Sequence, residues 1–401
     1  MRFASGVRIG GRLGQIVPWQ GPRRRIGRWR LFAADEIEHH ARMTNALADQ
    51  LLAVQGFESI ERQIATGDDM HDWPVRKGTP LALAAAEYMR SGHEALVVVE
   101  NALAALGRSL ESEERVLEFA AGYGRLTRFL VRRMDPARLD VSDVLAPAVE
   151  FARRTFGVGG FVSRADPAEL ELDERYSLIY VGSLFSHLPR HRFVPMLRRL
   201  YEALTPDGVL LFSTHGTRFI GSDAGFVFRT ESESEVLDLA EYGATFVAPE
   251  VVRELADEAG VRELVSLERE LWWCQDLYAA APKSHAGWAD WRHADAARGK
   301  IAKVDVRPEE AHAWVGGYVR VPRVGAGVER VELVLDGALR LEVLLATEET
   351  PMGPEEPQED FAQYDWYVEG SFAGLGPGEH GLLAVAHLTG GGHTVFDAVV
   401  L

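Results

Sequence analysis

An α/β chain is what this sequence predicts: a doubly wound, mostly parallel sheet with helices before it and an antiparallel β-sandwich after it. Three observations carry that reading. Short apolar runs alternate with amphipathic helical patterns from Val116 to about Thr214, the signature of a parallel sheet covered on both faces. The stretch RVLEFAAGYGRLTRFL, Arg115 to Leu130, reads as strand, tight small-residue loop and helix, a unit that holds nucleotide-like groups at a strand's carboxyl end. From about Ile301 the pattern changes to short strands separated by turn signals, Asp336-Gly337 the strongest.

The elements follow in order. Apolar spacing over Ile37, Ala41, Leu47, Leu51, Leu52 and Phe57 predicts a helix from Asp35 to about Gln63, broken by Thr66-Gly67-Asp68-Asp69. Pro80 to Leu106 predicts one or two helices, expected to form a lid or collar over a site at the first strand. Val116-Leu117 begins that strand, which ends at Glu118. A second strand, Leu139 to Ser142, ends at Asp143, and Pro147 to Phe156 is its helix. Phe161 to Ser163 is a third strand, followed by Asp166. Leu178 to Val181 is a fourth, ending at Gly182-Ser183. His191 to Leu204 is a helix with Phe193, Leu197, Leu200 and Leu204 inward. Thr205 to Gly208 is a turn and Val209 to Ser213 a fifth strand. Right-handed crossovers place the acidic strand ends on one sheet edge. Pro249 to Gly260 is a helix and Leu271 to Ala280 a strand. These readings divide the chain into a basic leader with N-terminal helices (1–79), an α/β domain (80–282), a linker (283–300) and a sandwich (301–401).

Composition narrows the function. With 401 residues, 47% apolar and 26% charged, the chain has the makeup of a globular protein of two or three domains. A net charge of -17 argues against nucleic acid as a partner. No apolar run of about 18 residues predicts a membrane span. One cysteine, Cys274, excludes an internal disulfide framework and fits a cytoplasmic protein. Arginine far outnumbers lysine, as codon usage in a GC-rich bacterial genome produces. Eight arginines and no acid in the first thirty residues read as a flexible basic leader.

The strand ends specify the expected ligand. Ala120, Gly122 and Gly124 let the backbone pass close to a bound group. Glu118 can orient that loop. Asp143 can accept two vicinal hydroxyls, because one carboxylate offers two oxygens, and Asp166 can accept from an adenine amino group. Three acids on successive strand ends suit an adenosyl cofactor without phosphates. A G-x-G-x-x-G reading from Gly122 puts Thr127 in the third glycine position, so a dinucleotide fits poorly. The pattern therefore favours S-adenosyl-L-methionine, with S-adenosyl-L-homocysteine as product. The candidate bases for proton removal are His187 and His215, both after sheet strands. No ligand spacing for a metal stands out, so no metal is expected. The run Glu231 to Glu235 reads as a solvated loop.

The stretches AEYMRSG, VLEFAAGYGRLTRFL, LDVSDVLAPAVEFAR, RADPAEL, YSLIYVGSLFSHLP and LTPDGVLLFSTHG resemble class I S-adenosylmethionine-dependent methyltransferases over roughly Tyr88 to Ala280. They look most like bacterial members beside or fused to glycosyltransferases in surface-polysaccharide clusters. The resemblance implies a Rossmann-like fold and cofactor contacts at Glu118, Gly122, Gly124, Asp143 and Asp166. It adds Tyr123, Val144 and Ser183 as pocket residues. Ala120 stands where the family usually has glycine. The expected activity is O-methylation of a saccharide or polyhydroxylated small molecule. Natural-product tailoring on oxygen or nitrogen is the alternative, and a glycan- or partner-binding scaffold with a vestigial pocket is the reading of another class. The sandwich is expected to serve structure, homo-oligomer formation or sugar binding.

Overall fold

The computed structural model describes residues 46–401 apart from 235, 273, 308–311, 353–359 and 372–379. The arginine leader, the start of the first expected helix and Gly376-Pro377-Gly378, another turn signal of the sequence, lie outside the described residues.

Residues 46–54 form α1, followed by α2 (Asp69–Arg76) and α3 (Leu81–Ala105). The central sheet is built from β1 (Val116–Phe119), β2 (Leu139–Asp143), β3 (Gly159–Val162), β4 (Tyr176–Val181) and β5 (Leu204–Thr214), with α4 (Thr127–Leu130), α5 (Ala146–Phe156) and α6 (Arg190–Glu202) between them. A two-stranded ribbon follows, β6 (Phe226–Arg229) and β7 (Ala244–Val247), then α7 (Pro249–Ala259) and the hairpin β8 (Glu263–Leu271) and β9 (Gln275–Ala281). The seven-stranded order is β3-β2-β1-β4-β5-β9-β8. The first five strands are parallel, and β9 and β8 close the edge antiparallel. The order reverses between β1 and β4, where a crevice opens at the carboxyl ends of the strands.

β1, β2 and β4 are buried along their whole length, because helices cover both faces. α3, α4 and α5 pack on one face through residues such as Leu96, Phe129 and Phe151. α6 and α7 pack on the other through Phe193, Leu197, Leu255 and Ala259.

Several expectations shift by a few residues for physical reasons. The first helix ends at residue 54, and Phe57 is buried beyond it as part of a strap. Leu204 starts β5 rather than ending α6. Thr205 to Gly208 is an irregularity inside β5, whose register against β4 slips between Tyr176 and Leu178. The expected strand from Leu271 to Ala280 is interrupted. Leu271 ends β8, Trp272 turns with φ 51°, and Gln275 starts β9. α3 is one continuous helix on the sheet face, and it does not form the collar over the crevice. The crevice is covered instead by residues 67–70 together with 233, 234, 237, 238, 241 and 242.

The C-terminal strands are β10 (Arg298–Arg307), β11 (His312–Pro322), β12 (Val328–Leu335), β13 (Leu339–Glu342), β14 (Leu344–Leu345), β15 (Phe361–Ser371), β16 (Gly381–Leu388) and β17 (His393–Val400). They form two antiparallel sheets, β10-β11-β15-β14 and β13-β12-β16-β17, packed on a shared core that includes Val315, Val319, Leu333 and Trp366. Asp336 (φ 49°) and Gly337 (φ 70°) make the type I′ turn at the β12–β13 hairpin. Both the β13-β12-β16-β17 sheet and the α/β domain contribute to one apolar cluster. Val334, Leu383, Val385 and Ala398 meet Leu47, Leu51, Leu96 and Val99 there. Trp288 and Trp291 of the expected linker are buried in the same cluster, so that segment is a packed joint. Glu270, fully buried, ties the joint further. It accepts from Arg298 Nη2 (3.0 Å), His293 Nδ1 (2.7 Å) and the Ala294 N–H (2.9 Å). Burial opposes its charge, but Arg298 and His293 more than offset that and hold its pKa low.

Candidate cofactor and active site

The loop after β1 turns sharply. Ala120, Gly122 and Gly124 all take positive φ, at 56°, 54° and 78°, a conformation that favours residues without a large Cβ. A Cβ on Gly122 would meet nothing within 4 Å, whereas one on Gly124 would stand 2.5 Å from the Phe156 ring. Gly122 therefore leaves open space, and Gly124 permits close helix packing. Arg128 secures the turn from behind, with no exposed surface. It donates to the carbonyls of Gly124 (3.2 Å) and Glu61 (2.9 Å), joining loop and N-terminal strap.

The loop borders a cavity of about 330 Å³ at the carboxyl ends of β1, β2 and β4, a volume typical of small-ligand sites. Ala120, Gly122, Tyr123, Asp143, Val144, Ser183 and His187 line it. Asp143 accepts from the N–H groups of Gly122 (2.8 Å) and Leu145 (2.9 Å). Burial raises its pKa while those bonds lower it. A carboxylate has about four acceptor sites, and with the Val144 N–H also directed at it one remains for a guest's hydroxyl.

Glu118, Gly124, Asp166 and His215 do not line the cavity. Glu118 is buried behind the loop and accepts from Thr127 Oγ1 at 2.6 Å, and desolvation pushes its pKa up to about 7. Asp166 is half-buried beside the cavity and outside its lining. It caps the turn that follows by accepting from the Ala168 N–H (3.0 Å) and pairs with Arg192 (2.7 Å). Ala165 takes its place in the wall. His215 donates through Nδ1 to the Cys274 carbonyl (3.0 Å) and stacks near Phe246, and burial lowers its pKa. The expectations for Glu118, Gly124, Asp166 and His215 as direct contacts therefore differ from their observed positions.

His187 is held more tightly. A carbonyl oxygen can only accept, so the 2.7 Å contact with Gly243 O places the proton on Nδ1 and leaves Nε2 as the basic atom. The Tyr242 ring stacks on His187, centroids 4.4 Å apart and planes 8° apart. Glu233 Oε1 lies 3.5 Å from Nε2. Glu233 thus faces the cavity, contrary to the expectation of a solvated loop.

Sequence reasoning missed the covering elements. Asp68, Arg125, Arg164, Glu233 and Tyr242 all line the cavity, yet nothing in the local sequence marks any of them as a site residue. Asp68 accepts from Tyr88 Oη at 2.6 Å. Gln275 of β9 also supports the site from outside. It accepts from Ser213 Oγ (2.6 Å) and donates to Ser183 Oγ (2.8 Å), fixing Ser183 at its positive φ of 70°.

The arrangement fits an S-adenosylmethionine-like guest. Six wall carboxylates, Asp68, Asp69, Asp143, Glu233, Asp238 and Glu241, outnumber Arg125 and Arg164 among the described residues, a field that suits a cationic ligand. Val144, Leu145, Leu184, Leu188 and Met196 offer an apolar wall for a base. Among the described residues no three His, Cys, Asp or Glu side chains gather as a metal site, and no helix is long and apolar enough to cross a membrane.

Residues 116–208 match the family model of a methyltransferase domain. A malonyl-[acyl-carrier protein] O-methyltransferase from Acetivibrio thermocellus is 31% identical over 110 residues, 27% of this chain and 38% of that protein. The chain thus spans well under half the length of that relative. The enzyme of the same name from Bacillus anthracis is 25% identical over 194 residues, 47% of this chain and 71% of that protein. Among solved structures, the CcbJ methyltransferase from Streptomyces caelestis is 18% identical, with a TM-score of 0.37, over 54% of this chain and 98% of that one. With the parallel sheet, the glycine loop and the acidic strand end in place, the chain carries a methyltransferase domain over residues 116–208.

Proposed function

We propose that the protein methylates a hydroxyl of a saccharide or a related polyhydroxylated small molecule. The observation that carries this reading is His187 in the cavity wall, whose Nδ1–H is committed to Gly243 O while Nε2 lies 3.5 Å from Glu233 Oε1. The cofactor, when bound, supplies a methyl carbon activated by its sulfonium. Asp143, Gly122, Tyr123 and Val144 are the residues that would hold it. His187 Nε2 would take the acceptor's hydroxyl proton as the oxygen attacks in line, and Glu233 would favour the imidazolium so formed. Tyr242 keeps the ring flat and helps exclude water. The residues covering the cavity would fix the acceptor's position.

A second reading takes a carboxylate acceptor, as the names of the two bacterial relatives suggest for those proteins. Arg125 and Arg164 in the wall favour it, because a carboxylate needs a cation beside it and no base. A natural-product acceptor with a hydroxyl or amine would use the same His187 chemistry. The single free Cys274 supports a reducing compartment, and we place the enzyme in the cytoplasm.

Transfer of labelled methyl from the cofactor to panels of sugars, carboxylic acids and amines tests the proposal. Labelling of sugars that His187→Gln abolishes is the expected result. Labelling of acids alone, with His187→Gln fully active, would sink it. Mass spectrometry of the purified protein for retained S-adenosylhomocysteine tests whether the pocket is vestigial.

A further inference from the structure

One face of the sandwich is used up and the other is not. The β13-β12-β16-β17 sheet turns its outer side chains into the α/β domain. The outer face of β10-β11-β15-β14 carries Trp314, Tyr318, Tyr367 and Leu344 instead. The strand register aligns these groups. Gly316 sits between Lys303 on β10 and Tyr367 on β15, and Tyr367 pairs in turn with Leu344 on β14.

Gly316 shapes this face. A Cβ there would stand 2.4 Å from the Trp314 ring, so the missing side chain lets the indole lie down over the strand. Tyr367, 47% exposed, holds its ring nearly parallel to that indole, at 12° and 6.5 Å between centroids. Lys303 Nζ lies 5.2 Å from the Trp314 ring. Exposed Asp365 lies across from Tyr318, the next outward residue along β11 after Gly316. Beyond it, Tyr318 and Arg320 line a cleft of about 700 Å³ between the sandwich and the α/β domain. Arg320 stacks on Tyr318 and donates to Gln363 Oε1 at 2.7 Å.

We propose that Trp314, laid flat on Gly316, and Tyr367 form a platform that binds an oligosaccharide. Two near-parallel rings offer apolar area to the C–H faces of consecutive sugar rings. Lys303, its ammonium over the Trp314 ring, and exposed Asp365 supply a donor and an acceptor for hydroxyls. From Trp314 to Tyr318 the strand rises roughly 13 Å, enough for about three sugar units leading toward the cleft. A second copy of the chain suits this face less well. A stable interface needs about 800 Å² per partner with an apolar centre. The described residues of this face expose only Leu344 and Tyr367 as large apolar groups beyond a third of their area.

The inference does not rest on the acceptor proposed for the cavity, because its readout is sugar binding without methyl transfer. Full-length protein would be screened on a broad glycan array and then titrated calorimetrically with cellohexaose, maltohexaose, xylohexaose and the array's best ligand. Saturable binding is expected, with Trp314→Ala and Tyr367→Ala each weakening it about tenfold or more and leaving S-adenosylhomocysteine affinity unchanged. Exposed Tyr367 guards against misfolding of the Trp314 variant. No binding to any glycan, or wild-type binding by Tyr367→Ala, overturns the proposal. So does a wild-type dimer that Tyr367→Ala converts to monomer.

Discussion

The Asp143 carboxylate accepts the Gly122 N–H at 2.8 Å, joining the end of β2 to the loop after β1. One acid thereby shapes the glycine turn and faces the cavity that the turn borders. Asp143→Ala removes both effects. We expect S-adenosylhomocysteine affinity to fall at least about tenfold, the worth of one charge-assisted hydrogen bond. Isothermal titration calorimetry checks this, and unchanged affinity would remove Asp143 from the site.

His187→Gln separates catalysis from binding. Loss of a general base typically costs roughly 100- to 10,000-fold in rate. We expect kcat for a hydroxyl acceptor to fall in that range while cofactor affinity holds within about threefold. Single-turnover kinetics with labelled cofactor measure both. Glu233→Gln should lower kcat less, since it acts through His187.

Gly124→Ala forces a Cβ into the Phe156 ring at a φ of 78°. Strain of this kind costs about 1–3 kcal/mol. Urea unfolding should show a lowered midpoint with the slope preserved. Gly122→Ala should unfold closer to wild type, because its Cβ points into open space, yet it should bind cofactor less well.

Glu118 makes the protein's stability depend on pH. Its folded pKa is raised to about 7 by burial, from 4.5. The folded state therefore holds more protons than the unfolded chain between those values, and stability falls as pH rises from about 4.5 to 7. Asp276 and Asp397, each raised to about 6 from 3.8 by burial, act in the same direction. Glu118→Gln keeps an oxygen for Thr127 and removes one contribution. Melting temperature should decline less steeply across this window in the variant, and identical slopes would contradict the assignment.

Glu270→Ala leaves Arg298 and His293 facing an uncompensated gap at the domain joint. Breaking a buried ion pair from one side costs roughly 3–5 kcal/mol. The melting temperature should drop by several degrees, and limited proteolysis should cut first near residues 283–297.

The sequence alone determined the alternation of parallel strands with helices and the type of loop after β1, because both are written in local signals: hydrophobic period, glycine positions and acids at strand ends. It placed Gly122, Asp143 and His187 for the same reason, each lying within a few residues of a strand terminus. Tertiary structure decided everything that depends on distant segments meeting. Asp68 and Glu233 share one cavity across about 165 positions of sequence, and no local pattern marks either. Asp166 shows the converse. Its position after β3 was legible, but its side chain found Arg192 and the Ala168 N–H, nearer partners than any guest. A chain can encode where a residue sits along its own backbone, but which partner its carboxylate meets is settled only when packing brings other segments alongside.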